Sequence, residues 1–240
     1  GVKHYENLFR IHPEAIAFDL HPDYLATRYA QDRACSEKLP AFGVQHHHAH
    51  IAACMTDHSL TGDQPVIGVA FDGTGYGEDG AIWGGEFLIA DYHSAQRAAH
   101  LAYIPLPGGD KAIREPWRVA LSWLHSQGIE WANDLPPVRF VANLEEQPIH
   151  PLEILHTQLE KRLNAPVTSS MGRLFDAVAA LVGLRQTVNY EAQAAIELEA
   201  IAELHEPGYY PLAIESDIIN PAPALHAIIT DLRAGVSLPV

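Results

Sequence analysis

The chain has 240 residues, of which 48% are hydrophobic and 19% are charged. This composition can bury a core, which excludes a disordered tail or a low-complexity linker. Fifteen Lys and Arg stand against 30 Asp and Glu, so the formal net charge is −15. A chain this acidic lacks the clustered basic surface that nucleic acids and anionic membranes attract, and we expect neither as a partner.

The cysteines and the hydropathy pattern indicate the compartment. Cys35 and Cys54 form no CxxC pair, which is typical of proteins kept in a reducing environment. The first residues resemble no signal peptide, and no apolar run approaches the roughly 20 residues that a membrane-spanning helix needs. We therefore expect a soluble, cytoplasmic protein.

Helices and strands are predicted to alternate over the first 60 residues, which favours a parallel α/β layer. A turn-rich stretch at 61–65 then predicts a boundary between a first domain, 1–62, and a second, 63–240. The predicted elements of the first domain are helices at 5–11, 24–37 and 46–55 and strands at 15–19 and 41–45.

The second predicted domain opens with a β-hairpin, in which a long glycine-rich tip joins two apolar strands. A later helix has three possible N-cap residues, Thr168, Ser169 and Ser170, and Gly183 fits its C-terminal end. The remaining predictions are a hairpin of strands 66–71 and 81–91 with its tip at 72–80, a strand at 100–104, helices at 115–127 and 191–205, and a stretch at 134–151 that is mostly loop.

A histidine-rich segment covers residues 46–50. If it is helical, His46 and His50 project from one face and can both reach one metal ion, since imidazole is a common metal ligand. His47 and His48 would point elsewhere and could orient a substrate. The alternative is a histidine-rich surface helix or core histidines bonded to the backbone. Two ligands do not complete a site, so a third must come from another segment.

The glycine-rich stretch that follows strand 66–71 has the composition of a phosphate-binding loop. Gly73, Gly75, Gly77 and Gly80 allow the backbone to approach a ligand and to aim N–H groups at phosphate oxygens. Asp72, at the strand end, could accept a hydrogen bond from a substrate or ligate a cation. The alternative is a structural role alone, because hairpin tips commonly contain glycine.

Two further groups of residues are candidates for ligand contacts. Gly172 and Asp176 are four residues apart on a predicted helix, so a flat ligand could lie on Gly172 while Asp176 bonds a ribose hydroxyl or a purine edge. A solvated aspartate is the alternative. Lys111, Arg114 and Arg118 form a rare basic group, which either meets a phosphate or pairs with neighbouring carboxylates.

These segments together resemble the HypF family, the carbamoyltransferases of [NiFe]-hydrogenase maturation. The resemblance extends over almost the whole chain. It points to the first part of the C-terminal transferase region, which is similar to the TsaD-type proteins that make threonylcarbamoyladenosine on tRNA. The segments that carry it are VQHHHAH at 44–50, FDGTGYG at 71–77, WGGE at 83–86, GRLFDAV at 172–178 and YEAQ at 190–193.

The resemblance implies an α/β fold of the ASKHA (actin and hexokinase) type, with two lobes of RNase H-like topology. Residues 1–62 would form part of the first lobe, and residues 63–240 most of the second without its C-terminal part. The chain is then expected to be a fragment that is inactive by itself. The position after Glu191 is Ala192, where the family pattern predicts glycine.

The implied reaction uses carbamoyl phosphate and ATP, which give carbamoyl-adenylate at a separate domain. The transferase region then passes the carbamoyl group to the C-terminal cysteine of a partner, HypE, and releases AMP. Dehydration by the partner produces the group that becomes a cyanide ligand of the hydrogenase iron. Because the nucleophile comes from outside, Cys35 and Cys54 are expected to be buried packing residues.

The resemblance also implies a set of site residues. His46, His50 and Asp72 would ligate a divalent metal, zinc or iron, and His47 and His48 would act in catalysis. The residues implied in binding ATP or carbamoyl-adenylate are Asp72, Gly73, Thr74, Gly75, Gly77, Gly172, Asp176 and Glu191. Two other functions remain open: an ASKHA phosphotransferase for a small acid or sugar, and a non-enzymatic, histidine-rich metal carrier.

Overall fold

The computed structural model describes residues 1–144, 148–203 and 205–238. The chain divides into two compact units, an N-terminal unit, Gly1–Thr61, and a C-terminal unit, Gly62–Val240. Within the described residues, no helix has both the length and the apolar character needed to cross a membrane.

The N-terminal unit is a small α/β layer, and its elements confirm the predicted alternation. The strands β1 and β2 pair in parallel, with Asp19 opposite Val44, so both strands end at the same edge, where the third helix begins. The elements are α1 (Val2–Phe9), β1 (Ile16–Asp19), α2 (Leu25–Glu37), β2 (Ala41–Val44) and α3 (His46–Asp57).

The C-terminal unit contains a mixed sheet with the strand order β6-β7-β4-β5-β9-β8, and β3 pairs with β4. The pairs β4–β7 and β5–β9 are parallel, whereas the hairpin β3–β4 is antiparallel. The strands are β3 (Val66–Tyr76), β4 (Ile82–Ala90), β5 (Ala95–Leu101), β6 (Ile104–Pro105), β7 (Val167–Thr168), β8 (Ala213–Glu215) and β9 (Ile218–Asn220).

Helices pack against this sheet and enclose the main hydrophobic core. Trp117, Leu121 and Leu124 of the helix at 116–126 are almost fully buried, and so are Leu174 and Leu181 of the helix at 171–181. Burial of such side chains stabilises each by about 1.5–3 kcal/mol relative to exposure. The helices are α4 (Asp110–Arg114), α5 (Pro116–Ser126), α6 (Pro136–Ala142), α7 (Pro151–Lys161), α8 (Met171–Leu181), α9 (Gln193–Ile201) and α10 (Ala222–Ala234).

The predicted glycine-rich tip was too long. Strand β3 continues to Tyr76, and the β3–β4 register is interrupted only between Phe71 and Gly75. The segment 72–76 therefore belongs to an irregular part of the hairpin rather than to its tip. Glycine permits this interruption because it tolerates backbone conformations that other residues avoid.

Three other predictions differ from the structure. The stretch 134–151, predicted to be mostly loop, contains helix α6, whose prolines occupy the first turn and whose Val138 and Val141 are buried in the core. Tertiary burial thus overrides weak local periodicity. Strand β5 begins at Ala95, before the predicted position 100, and α9 covers less than the predicted 191–205. Residues 145–147 of the stretch 134–151 and residue 204 of the predicted helix 191–205 lie outside the described residues. The prediction for α8 is confirmed, with Ser170 as the N-cap and Gly183 at a φ of 83° after the helix.

The expectation of two buried cysteines is also wrong, because Cys35 and Cys54 are free thiols on exposed positions. On α2 the buried residues include Ala34, and on α3 they include Met55. Each cysteine is the direct sequence neighbour of one of these residues. Since adjacent positions on a helix point about 100° apart, a residue next to a buried one can still face the solvent, as both cysteines do.

Candidate functional site

The histidine segment forms the first turns of α3, as predicted. Gln45 caps the helix, and its side-chain oxygen accepts a hydrogen bond from the backbone N–H of His48 at 2.9 Å. His46 and His50 lie one turn apart, and their Nε2 atoms are 3.1 Å from each other. The structure thus brings the two predicted metal ligands of this unit together.

Asp19 is a functional candidate that the sequence reasoning missed. Its Oδ2 atom lies 2.7 Å from Nδ1 of His46, and a carboxylate can only accept at this distance. His46 therefore carries its proton on Nδ1, and the lone pair of its Nε2 atom faces His50. A carboxylate behind a histidine in this way is typical of metal sites, where it fixes the tautomer of the ligand.

The pair fits a divalent metal. Ligand atoms about 2.1 Å from a tetrahedral ion lie about 3.4 Å apart, close to the Nε2–Nε2 distance of 3.1 Å. Asp19 could have been found from the sequence, because it ends a strand parallel to the one that leads into α3. That inference needs the pairing of β1 with β2, which the alternation of elements only suggested.

His47 and His48, the predicted catalytic histidines, have different environments. His47 is fully buried, and its Nδ1 atom lies 3.1 Å from the side-chain nitrogen of Gln45. His48 is partly exposed. Both lie on α3 beside His46 and His50, and their role in catalysis stays a prediction.

In the C-terminal unit, the loop at Asp72 packs directly against the first turn of α8. Ser170 Oγ donates to the backbone oxygen of Asp72 at 2.6 Å, and the N–H of Gly73 donates to Asp72 Oδ1 at 2.6 Å. A Cβ atom on Gly172 would lie only 3.0 Å from Gly73 Cα. The missing side chain of Gly172 thus allows the backbone at Gly73 to pack closely against α8.

Arg173, Asp176 and Glu191 complete this group. Arg173 and Asp176 are almost fully buried and form an ion pair at 2.8 Å. A Cβ atom on Gly73 would lie 3.4 Å from Arg173 Nη2 and 3.7 Å from Glu191 Oε1, so both side chains face the loop. The structure therefore brings together Asp72, Gly73, Gly172, Asp176 and Glu191 as predicted, and adds Arg173.

Electrostatics distinguish Asp176 and Arg173 from ordinary surface charges. Burial raises the pKa of Asp176 to about 6; the Arg173 cation opposes this rise, and the Glu191 charge adds to it. Arg173 Nε is buried and has no hydrogen-bond partner among the described residues. A buried donor without a partner is costly, which indicates a position for an anionic or hydroxylated ligand.

The remaining loop residues lie further along the hairpin. Thr74 and Gly75 belong to the irregular part of β3. The N–H of Gly77 donates to the backbone oxygen of Ala81, and a Cβ atom there would collide with Trp83 Nε1 at 2.2 Å. The turn hydrogen bond and the close approach of the Trp83 ring account for glycine at position 77, and its role in ligand binding stays a prediction.

Ala192 follows Glu191 in the left-handed conformation, with a φ of 62°. This backbone conformation favours glycine, the residue expected at this position from the resemblance, since a Cβ atom costs about 1 kcal/mol there. Arg114 lines a cavity of about 260 Å³ with Asp110, Tyr190 and Glu191.

The other two members of the basic group pair with a carboxylate. Lys111 Nζ lies 3.6 Å from Glu115, and Arg118 also forms an ion pair with Glu115. Between the two alternatives for this group, the structure favours carboxylate pairing for Lys111 and Arg118.

Comparison with known families accounts for most of the chain. The family model described as "Carbamoyltransferase, Kae1-like Domain, second subdomain" matches residues 68–240, and "HypF Kae1-like domain" matches residues 1–57. Together with the mixed-sheet architecture, these matches define an α/β domain of the ASKHA type, as predicted. The chain belongs to the HypF family of carbamoyltransferases.

Individual relatives agree with this assignment. Carbamoyltransferase HypF2 of Cupriavidus necator is 46% identical over 85% of this chain, and carbamoyltransferase HypF of Synechocystis is 40% identical over 99%. The chain spans 24% and 32% of the lengths of these two relatives.

Two solved structures are also similar over 98% of this chain. A full-length HypF crystallised in its phosphate- and nucleotide-bound form has a TM-score of 0.82 at 43% identity, and T. kodakarensis HypF has 0.81 at 32%. The chain covers 30% and 31% of those chains.

Proposed function

We propose that this chain is the region of a carbamoyltransferase that moves a carbamoyl group from carbamoyl-adenylate to the C-terminal cysteine of HypE. The observation that carries the proposal is the convergence of Gly73, Gly172, Arg173 and Glu191 at the first turn of α8. Family membership and the nucleotide-bound HypF relative support the same assignment. The two units would then be parts of two ASKHA lobes.

The residues of the C-terminal unit would bind the adenylate. Gly73 leaves open the space in front of Arg173 and Glu191, whereas Gly172 lets the loop that carries Gly73 pack against the first turn of α8. Asp176 and Glu191 would supply acceptors for the nucleoside hydroxyls. The Nε of Arg173, which has no hydrogen-bond partner among the described residues, would supply a charged donor for an oxygen of the ligand. Backbone N–H groups after Asp72, with Thr74, Gly75 and Gly77, are predicted to face the phosphate.

His46 and His50 would hold a divalent metal, zinc or iron, with Asp19 fixing the tautomer of His46. Asp72 stays the predicted carboxylate ligand. When bound, such a metal supplies positive charge that makes AMP a better leaving group. His47 and His48 are predicted to orient the substrate.

This carbamoyl transfer needs neither an oxidant nor a reductant. The thiolate of HypE attacks the carbamoyl carbon, a sulfur–carbon bond forms, and the bond from that carbon to the phosphate oxygen breaks. The electron pair leaves with AMP. Because HypE supplies the nucleophile, the reaction needs neither Cys35 nor Cys54. Carbamoyl phosphate and ATP would be consumed by the whole enzyme in the cytoplasm, without nucleic acid or membrane.

A chimera tests this proposal directly. We expect that this chain, placed in the matching region of the Synechocystis HypF, supports formation of AMP and carbamoylated HypE from carbamoyl phosphate and ATP. Removal of the C-terminal cysteine of HypE should abolish the carbamoylated product. The substitution Asp72→Asn should lower the rate at least tenfold, whereas Asp217→Asn, on an exposed residue, should leave it unchanged.

The other two functions give different products. Formation of ADP with a phosphorylated small acid or sugar would contradict carbamoyl transfer and favour a phosphotransferase. Equilibrium dialysis of AMP against the chain itself, with and without a chelator, distinguishes carbamoyl transfer from the non-enzymatic metal carrier. Metal affinity that is unaffected by AMP, without turnover in the chimera, would favour a metal carrier.

A further inference from the structure

A second group of metal-binding side chains lies in the C-terminal unit, on helices that the proposed function does not use. His125 is in the last turn of α5, and His156 and Glu160 are one turn apart on α7. One ligand atom of each residue lies within 4.8 Å of the other two. The group joins two helices that are separated by about 30 residues in sequence but packed together in the fold.

The distances suit a small ion. His125 Nε2 lies 3.5 Å from Glu160 Oε1, and the rings of His125 and His156 are 5.7 Å apart at an angle of 81°. Ligand atoms around a tetrahedral zinc ion are about 3.4 Å apart, so one edge of such a site is already in place. His156 can complete it by a rotamer change, since it is exposed.

An aromatic ring supports the two imidazoles from one side. Trp131 donates its indole N–H to the backbone oxygen of Leu121 at 3.0 Å, which anchors the ring to α5. Its centre lies 6.2 Å from that of His125 and 6.1 Å from that of His156. The group therefore has an anchored wall on one side, while His156 and Glu160 are open to water.

The local field favours a cation. His125 and Glu160 each lie in the last turn of a helix, where the carbonyl groups give a partial negative charge. The Glu160 carboxylate adds a full negative charge. Two imidazole nitrogens and one carboxylate oxygen form a donor set that suits zinc and its neighbours rather than calcium or magnesium, which prefer oxygen ligands.

We propose that His125, His156 and Glu160 form a binding site for a divalent transition metal ion, which we expect to be Zn²⁺. Three protein atoms hold the ion, and water occupies the remaining position. This site is separate from the His46–His50 pair and does not depend on the proposed carbamoyl transfer.

The test uses the full chain with the substitutions His46→Ala and His50→Ala, so that the other imidazole pair cannot contribute. Zinc binding is measured by competition with a chromophoric chelator. We expect one zinc ion per chain, and a loss of affinity of at least tenfold on adding Glu160→Gln or His156→Ala. Both residues are exposed, and circular dichroism verifies that the variants fold.

His226→Ala serves as the matched control, because His226 is an exposed histidine on α10 outside the metal-ligand groups of the described residues. We expect zinc affinity to be unchanged in this variant. With Co²⁺ in place of zinc, the visible absorption bands of a tetrahedral site should be present in the control and absent in His156→Ala. Equal zinc affinity in the His156→Ala and His226→Ala variants would overturn the proposal.

Discussion

At the scale of single residues, Asp176 is unusual because its carboxyl group is buried, with Arg173 as its ion-pair partner. Its side chain pairs with Arg173 at 2.8 Å, and yet burial raises its pKa to about 6. The Glu191 charge pushes the pKa in the same direction. A carboxyl group with this pKa changes its charge near neutral pH, within the region that we assign to the nucleoside.

The raised pKa predicts a specific pH dependence of stability. A group whose pKa is higher in the folded state binds its proton more tightly there, so its contribution is fully present below about pH 4 and is lost as the pH rises through 6. The expected loss is on the order of 3 kcal/mol. Asp176→Asn should therefore lose less free energy of unfolding than the wild type between pH 4.5 and 7, measured by urea titration.

The exposed residue Asp217 provides the control, because Asp217→Asn should follow the wild-type pH dependence. If Asp176→Asn and Asp217→Asn have parallel stability profiles between pH 4.5 and 7, the protonation of Asp176 does not contribute to the pH dependence of stability in this range. That result would contradict the raised pKa of Asp176 on which this prediction depends.

At the scale of elements, strand β4 and the residues that lead into α8 are joined by one buried carboxylate. Glu86 is fully buried, and its Oε1 atom accepts from the N–H groups of Gly84 at 3.0 Å and Gly85 at 3.1 Å. Ser169 Oγ donates to the same oxygen at 2.5 Å, and Arg97 Nε lies 2.6 Å from Oε2. The WGGE segment is therefore a packing element of the sheet.

Gly85 shows how tightly these elements pack. A Cβ atom there would lie 2.4 Å from the backbone oxygen of Ser169 and 2.9 Å from Leu101 Cβ. We predict that Gly85→Ala lowers the free energy of unfolding by about 3 kcal/mol, because strand β4 must move away from the segment before α8. Chemical denaturation measures this change.

Gly80→Ala separates packing from backbone strain. Gly80 has a φ of 79°, but a Cβ atom there would meet nothing within 4 Å. This variant should lose only about 1 kcal/mol, the cost of placing a side chain in the left-handed region. If Gly80→Ala and Gly85→Ala lower the free energy of unfolding equally, the close contact at Gly85 does not contribute to stability.

At the scale of the whole molecule, the buried apolar residues are distributed unevenly between the two units. The main hydrophobic cluster of the described residues lies within the C-terminal unit, from Leu101 to Ile229. The buried apolar side chains described in the N-terminal unit are few, and they are Ala30, Ala34, Ile51 and Met55. A domain with so little buried apolar surface is marginal by itself.

We therefore predict that residues 62–240, expressed alone, unfold cooperatively in urea, and that residues 1–61 alone do not. Far-ultraviolet circular dichroism and amide hydrogen exchange measure both. A cooperative transition for 1–61, or its absence for 62–240, would show that core size does not decide the independent stability of the units.

Local patterns predicted most of the elements but fewer of their boundaries. The apolar spacing of α8 and its serine cap are properties of neighbouring residues, so they could be recognised without a fold. Helix α6 was missed because it is short and begins with two prolines, and burial of Val138 and Val141 decides it. The extent of β3 was missed because glycines are as common in hairpin tips as in irregular strands.

The candidate site was predicted in part, for a related reason. His46 and His50 share a helix face, so their proximity follows from helical geometry alone. Asp19 is 27 residues from His46 and was missed, because only the parallel pairing of β1 with β2 brings it there. Arg173 was missed because a basic residue on a helix is usually solvated, and its burial depends on contacts between separate segments.

The sequence by itself determined the family, the α/β class and the residue types available for chemistry, because these depend on composition, order and local periodicity. Only the tertiary structure decided which of those residues meet: Ser169 reaches Glu86 across 83 positions, and His125 reaches His156 across the α5–α7 contact. Such contacts leave no local signal, since burial and strand pairing act between segments whose spacing along the chain is arbitrary.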